Sequence, residues 1–166
     1  MSDQFDDVGI AWRSLAELLT DLLEEAPEGV TIDVVDDRIG DEGPYTQVIQ
    51  QEDDMSGEWI WLVEASSTDF TSVQTPPDTY TTLRELGYAP PDDENPNHHQ
   101  IVPAASVTLN DLANLMVRTL RDGFSARLTD VFAISPDFVA HEVLAARSDL
   151  MAAITFEDIG LRFRFN

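Results

Sequence analysis

One amphipathic helix pattern is followed by three strand patterns in unbroken succession, with no helix between them. From Phe5 to Leu23 the residues Phe5, Val8, Trp12, Leu15, Leu18, Leu19, Leu22 and Leu23 recur at helical spacing and make one apolar face. Asp3, Asp6 and Asp7 sit near its start, where negative charge favours the helix dipole, and Pro27 with Gly29 ends it. Next, "VTIDVV" alternates Val30, Ile32 and Val34 against Thr31 and Asp33. "PYTQVIQ" is rich in strand formers behind the turn signal Gly43-Pro44, and "EWIWLVEA" is apolar on both sides, so both its faces should be covered. The connections "DDRIGDEG" and "EDDMSG" are short and made of turn residues, as antiparallel hairpins require. A helix and then consecutive strands give an α+β fold, not an alternating α/β one.

Downstream, Ser66 to Pro103 reads as irregular and contains Pro76, Pro77, Pro90, Pro91, Pro96 and Pro103. Within it "TYTTLRELGY" suits a helical turn ended by Gly87. A second amphipathic helix begins near Val107 with Ser106 or Thr108 as cap; Leu109, Leu112, Leu115, Met116 and Leu120 form its stripe. "SPDFVAHEVLAA" opens with serine before proline, the signal for a third helix. The tail "LRFRFN" alternates Leu161, Phe163 and Phe165 with Arg162 and Arg164, as a half-buried strand does. At 166 residues, a single α+β domain over 1–166 is expected.

Charge narrows the function. Acids outnumber bases 32 to 9, for a formal charge of −23, so phosphate-rich partners would be repelled; neither nucleic acid nor an anionic membrane is expected as a partner. All nine bases are arginine, and only Arg118 with Arg121 and Arg162 with Arg164 come close together. Without lysine there is no Schiff base or P-loop lysine, and without cysteine no disulfide, thiol nucleophile or thiolate metal site. The start "MSDQFDDVGIAW" has no basic region and no long apolar run, which leads to the expectation of a soluble cytoplasmic protein.

The chemical candidates are thin. His98 and His99 are adjacent and would point to opposite sides of a strand; they read as solvated residues of a polar surface loop. His141-Glu142 lacks the second histidine of a zinc helix, and neither "VDDRIGDEG" nor "PPDDEN" has the alternating carboxylates and closing glutamate of a calcium loop. There is no GxSxG and no glycine-rich phosphate loop. No catalytic residue, metal or cofactor is therefore assigned. Aromatic residues are more informative. Trp59 and Trp61 share one strand face beside Tyr45; they build the core against the first helix, or leave part of an apolar face open to a peptide or a second subunit.

The opening helix with Trp12 and its leucines, the strand triplet ending in "WLVEASS", the segment "LRELGYAPPDDENPN" and a helix like "LANLMVRTLRD" together resemble a known family. It is the type III secretion chaperone-like and YbjN-like family, in its uncharacterised actinobacterial branch. The carrying residues are Leu83, Leu86, Gly87, Tyr88, Pro90, Pro91 and Asn97, with Tyr88 where tryptophan is more usual; the resemblance covers roughly residues 5–135. It implies a helix packed on an antiparallel sheet, followed by further helices, and a dimer that holds an extended client segment without catalysis. On that basis "YAPPDDENPNHHQIV" is a crossing between sheet and second helix, packed down by Tyr88 and the prolines while Asp92, Asp93 and Glu94 stay wet.

The expected function is thus a non-catalytic, chaperone-like protein-binding module for an unknown protein client, as a homodimer. Trp59, Trp61, Tyr88, Phe163 and Phe165 are its candidate interface residues. The competing reading is a small acidic hydrolase or metal-dependent enzyme using carboxylates and His141.

Overall fold

The computed structural model describes residues 8–9, 12–36, 43–67, 76–127, 131–136 and 162–165, with backbone only for 131, 133, 135, 136 and 162–165. The elements in chain order are α1 (Arg13–Glu25), β1 (Thr31–Asp36), β2 (Tyr45–Glu52), β3 (Trp59–Ala65), α2 (Thr79–Glu85), β4 (His98–Pro103), α3 (Leu109–Arg118), β5 (Val131–Pro136) and β6 (Arg162–Phe165). A 3-10 turn, Ala104–Ser106, precedes α3, and a π-helical turn, Thr119–Gly123, follows it. The strands form one sheet in the order β4-β3-β2-β1-β5-β6. Every neighbouring pair is antiparallel except β5 and β6, which run parallel.

The expected α+β architecture is present. The β1–β2–β3 meander forms because each strand carries a buried alternate set, Ile32 and Val34 on β1, Thr46 and Val48 on β2, Trp61, Val63 and Ala65 on β3. The apolar ones among them, with Phe132 and Ile134 of β5, join Leu15, Leu18, Leu19 and Leu22 of α1 and Leu112, Leu115 and Met116 of α3 in one buried cluster. Trp12 meets Phe132 edge-on, ring centroids 5.8 Å apart, which pins the entry of α1 to β5. Among the described residues no helix is long and apolar enough to cross a membrane.

Several expectations change. The described helix starts at Arg13, not near Phe5: Gly9 turns the chain at φ 81°, and the Trp12 N–H bonds back to the Gly9 carbonyl. Phe5, Asp3, Asp6 and Asp7 lie outside the described residues. Thr108 is the cap of α3. It forms a reciprocal box in which Thr108 Oγ1 accepts from the Asp111 N–H at 3.1 Å and Asp111 Oδ2 from the Thr108 N–H at 3.0 Å. Ser135 and Pro136, read as the opening of a third helix, are the last residues of β5; the remainder of that segment lies outside the described residues. "VFAISP" is a strand because its partner is β1, about a hundred positions earlier, in the register Val34↔Ile134. The tail is a strand as expected, in the parallel register Phe132↔Phe163 and Ile134↔Phe165.

The histidine pair requires the largest correction. "HHQIVP" is no surface loop but strand β4, paired to β3 from Ala65↔His98 to Ile60↔Pro103. His98 is 3% exposed, not solvated. The pattern was hidden because the inward positions His98 and Gln100 are polar; only Val102 gives an apolar inward signal.

Candidate functional site

Strand β4 ends the sheet on one side, and its alternation sets up two surfaces. His98, Gln100 and Val102 point to the helix-covered face and are buried; His99, Ile101 and Pro103 point to the opposite face. Gln100 is satisfied there, its Nε2 donating to the Leu86 carbonyl at 3.2 Å.

The outer edge of β4 is only partly closed. Ala89 forms an isolated bridge with His99: the Ala89 N–H donates to the His99 carbonyl at 2.8 Å, and the His99 N–H to the Ala89 carbonyl at 3.2 Å. In an antiparallel ladder alternate residues bond to the same side. The N–H and C=O of Ile101 therefore turn to that outer side as well, past the end of the bridge. Ile101 is 60% exposed. It also closes a cross-strand row, since Ile49 pairs with Leu62 and Leu62 with Ile101. Among the described residues, all three helices bury their apolar residues on the other face, so this row is not covered by any of them.

The segment carrying Ala89 is held firmly. Tyr88 is buried and its hydroxyl contacts Thr119 Oγ1 at 2.8 Å. Asn97 Oδ1 accepts from the Tyr45 hydroxyl at 3.2 Å and from the Ser67 N–H at 3.4 Å. Between them Asp92 Oδ1 accepts from the Glu94 and Asn95 N–H groups at 2.9 and 2.7 Å, so Asp92 shapes a turn. These backbone bonds hold its carboxyl below the usual range. Asp92, Asp93 and Glu94 are exposed, as expected, whereas Pro90 and Pro96 are exposed and not packed down.

On the helix side, a cavity of about 260 Å³ opens between α2 and the start of β4, lined by Tyr80, Thr81, Arg84, Tyr88, Pro90 and His98. The Tyr80 ring stands edge-on to the His98 imidazole, centroids 4.6 Å apart, and is itself half-exposed. His98 Nε2 is buried without a hydrogen-bond partner among the described residues. Burial, and then the neighbouring His99, hold the His98 pKa below its ordinary value.

Of the residues singled out by sequence, Trp61 and Tyr88 are buried in the core, at 4% and 3% exposure. Trp59 shares the face of Trp61 but is 40% exposed, because it is the first residue of β3 and pairs with Glu52 at the end of β2. Core burial thus holds for Trp61 and not for Trp59. For Phe163 and Phe165 the description stops at backbone register, and His141 lies outside the described residues. Among the described residues no group of three or more His, Asp or Glu converges as a metal ligand set. Sequence reasoning missed Ile101, Leu62 and Ile49 as one row, and Tyr80, Arg84 and His98 as one pocket. The row's signals were Leu62, on the second apolar side of "EWIWLVEA", and Ile101, inside a stretch read as a loop.

The family described as T3SS (YopN, CesT) and YbjN peptide-binding chaperone 3 matches residues 6–145. No curated protein and no solved structure matches.

Proposed function

The chain belongs to this family of peptide-binding chaperones, and from that premise we propose that it holds an extended client segment along the outer edge of β4. The observation that carries the reading is Ile101: an exposed aliphatic side chain on an edge strand, with its backbone N–H and C=O turned outward. An added strand would draw affinity from main-chain hydrogen bonds and selectivity from alternate side chains. Those side chains meet the Ile49–Leu62–Ile101 row on one face. The formal charge of −23 keeps an apolar-segment holder from self-aggregating and favours clients with basic flanks. No step of this role needs a nucleophile, a metal or a general base.

A displayed library of random dodecapeptides tests the proposal. Selected peptides should alternate apolar residues, carry basic flanks and protect the Ile101 amide from exchange. Ile101→Pro removes that N–H and should weaken them about tenfold or more, by loss of a main-chain bond and its neighbours. Equal binding to Ile101→Pro would overturn the edge site. The homodimer is the competing use of the same edge. Sedimentation at micromolar concentration separates the two, since a mass of one chain at low and high salt leaves the edge to a client.

A further inference from the structure

We propose that the β4 edge holds its client through one residue, Ile101, and so selects a short segment centred on a single aliphatic side chain instead of a long strand. The inference rests on the peptide-binding reading above and adds to it the length and the central residue of the client.

The main-chain groups are the first argument. Strand β4 has six residues, and alternation turns the backbone groups of His99, Ile101 and Pro103 to the outer edge. The His99 N–H and C=O are both bonded to Ala89. Pro103 has no N–H, and its carbonyl already accepts from Ser106 Oγ at 2.9 Å. Ile101 lies between them, and its outer N–H and C=O bond to no group among the described residues. The edge therefore offers a client one donor and one acceptor, whether the client pairs antiparallel or parallel.

Both ends of this gap are closed by the fold. Ala89 follows Tyr88, which is buried and contacts the Thr119 hydroxyl, so the bridge at His99 is anchored in the core. At the other end the chain leaves the sheet directly, into the 3-10 turn Ala104–Ser106. A client strand that ran past either neighbour would find no further N–H and C=O pair on β4 to bond. A short free run ended by proline also protects an edge from pairing with other chains.

The side chains are the second argument. A residue paired with Ile101 continues the row Ile49–Leu62–Ile101 on the open face, its Cβ about 4.5–5.5 Å from that of Ile101. Ile101 is exposed, so this neighbour covers apolar surface that the described fold leaves in solvent. A β-branched aliphatic side chain suits the position, since it packs well on a pleated surface.

The test uses the dodecapeptides selected above, resynthesised with one backbone N-methyl group at each position in turn and titrated against the full-length protein. One position should weaken binding about tenfold or more, because it removes the bond to the Ile101 carbonyl; the others should stay within about threefold. A five-residue core carrying one lysine at each end should bind within about threefold of the whole peptide, and serine at its centre should weaken it about threefold or more. Combining Pro103→Val with Ser106→Ala restores both outer groups at that position, so a second sensitive amide should appear two places from the first. If that variant does not fold, the wild-type scan decides; if it folds and shows no second amide, the assigned stop at Pro103 is overturned. Two or more sensitive amides at alternate positions in the wild type would mean a continuous strand, which overturns the proposal and leaves the edge site standing. Selected peptides that never protect the Ile101 amide overturn the edge site itself. A two-chain mass that Ile101→Pro returns to one chain would place a second copy on the edge and overturn the proposal.

Discussion

The Tyr88 hydroxyl lies 2.8 Å from the Thr119 hydroxyl, joining the segment that flanks the sheet edge to the end of α3. Thr119 Oγ1 also donates to the Leu115 carbonyl at 2.8 Å, which uses its only proton. Tyr88 is therefore the donor of the pair. Burial is the main reason its phenol is pushed up to about 12, and the Thr119 contact opposes that rise.

Tyr88→Phe keeps the ring and removes this donor. It should cost about 1–2 kcal/mol of stability by urea denaturation, the net value of one buried hydrogen bond and its orphaned acceptor. Tyr88→Ala should cost more, about 3–5 kcal/mol, through the cavity it leaves. Equal losses in the two variants would mean that the hydroxyl contact contributes nothing.

The two tryptophans of β3 should separate cleanly. Trp61→Ala removes a buried ring and should destabilise by about 3–5 kcal/mol. Trp59→Ala, at 40% exposure, should change stability by less than about 1.5 kcal/mol. Paired denaturation curves check this, and similar midpoints for the two variants would contradict the assigned burial.

Gly43→Ala should damage the β1–β2 connection. A Cβ at Gly43 would lie 1.7 Å from the Asp36 carbonyl oxygen, where the Asp36 N–H is also tied to the Pro44 carbonyl at 2.8 Å. Backbone must move, so a loss of about 3 kcal/mol or more is expected. A thermal melt unchanged from wild type would refute the close approach.

Stability should fall as pH drops below about 6.5, the ordinary histidine value, because of His98. Its folded pKa is depressed, so below 6.5 the unfolded chain binds more protons than the folded one. The contribution is complete above that value, shrinks as pH falls, and levels off once the folded group also protonates. His99 adjoins the ring, and Asp92 stands 3.9 Å from His99 Nε2. Relief of acidic self-repulsion acts in the opposite sense. The informative quantity is the difference from His98→Phe: denaturation midpoints at about pH 7.5 and 5.5 should converge in the variant relative to wild type. Parallel curves would exclude His98 as the source.

How much of this was legible varies with the residue. Leu15, Leu18, Leu19 and Leu22 declared α1 through their spacing, and Thr108 with Asp111 declared the start of α3 through local hydrogen-bonding chemistry. The candidate site was far less visible. His98 and Gln100 occupy core-facing positions of β4, so that strand carried no apolar alternation to read. Tyr80 and His98 are eighteen positions apart and meet only after α2 folds over the strand.

The sequence alone determined the elements whose formation depends on near neighbours: the first helix, the three-strand meander and the capped helix after residue 108, together with the formal charge of −23. It also carried the family, through short motifs around Gly87 and Asn97. Tertiary structure decided that "HHQIVP" is an edge strand, that "VFAISP" pairs with β1, and that Trp61 is buried while Trp59 is not. Each of those outcomes depends on a partner far away in the chain. Strand pairing and burial are set by what lies across the sheet or above it, and local propensity carries no record of that.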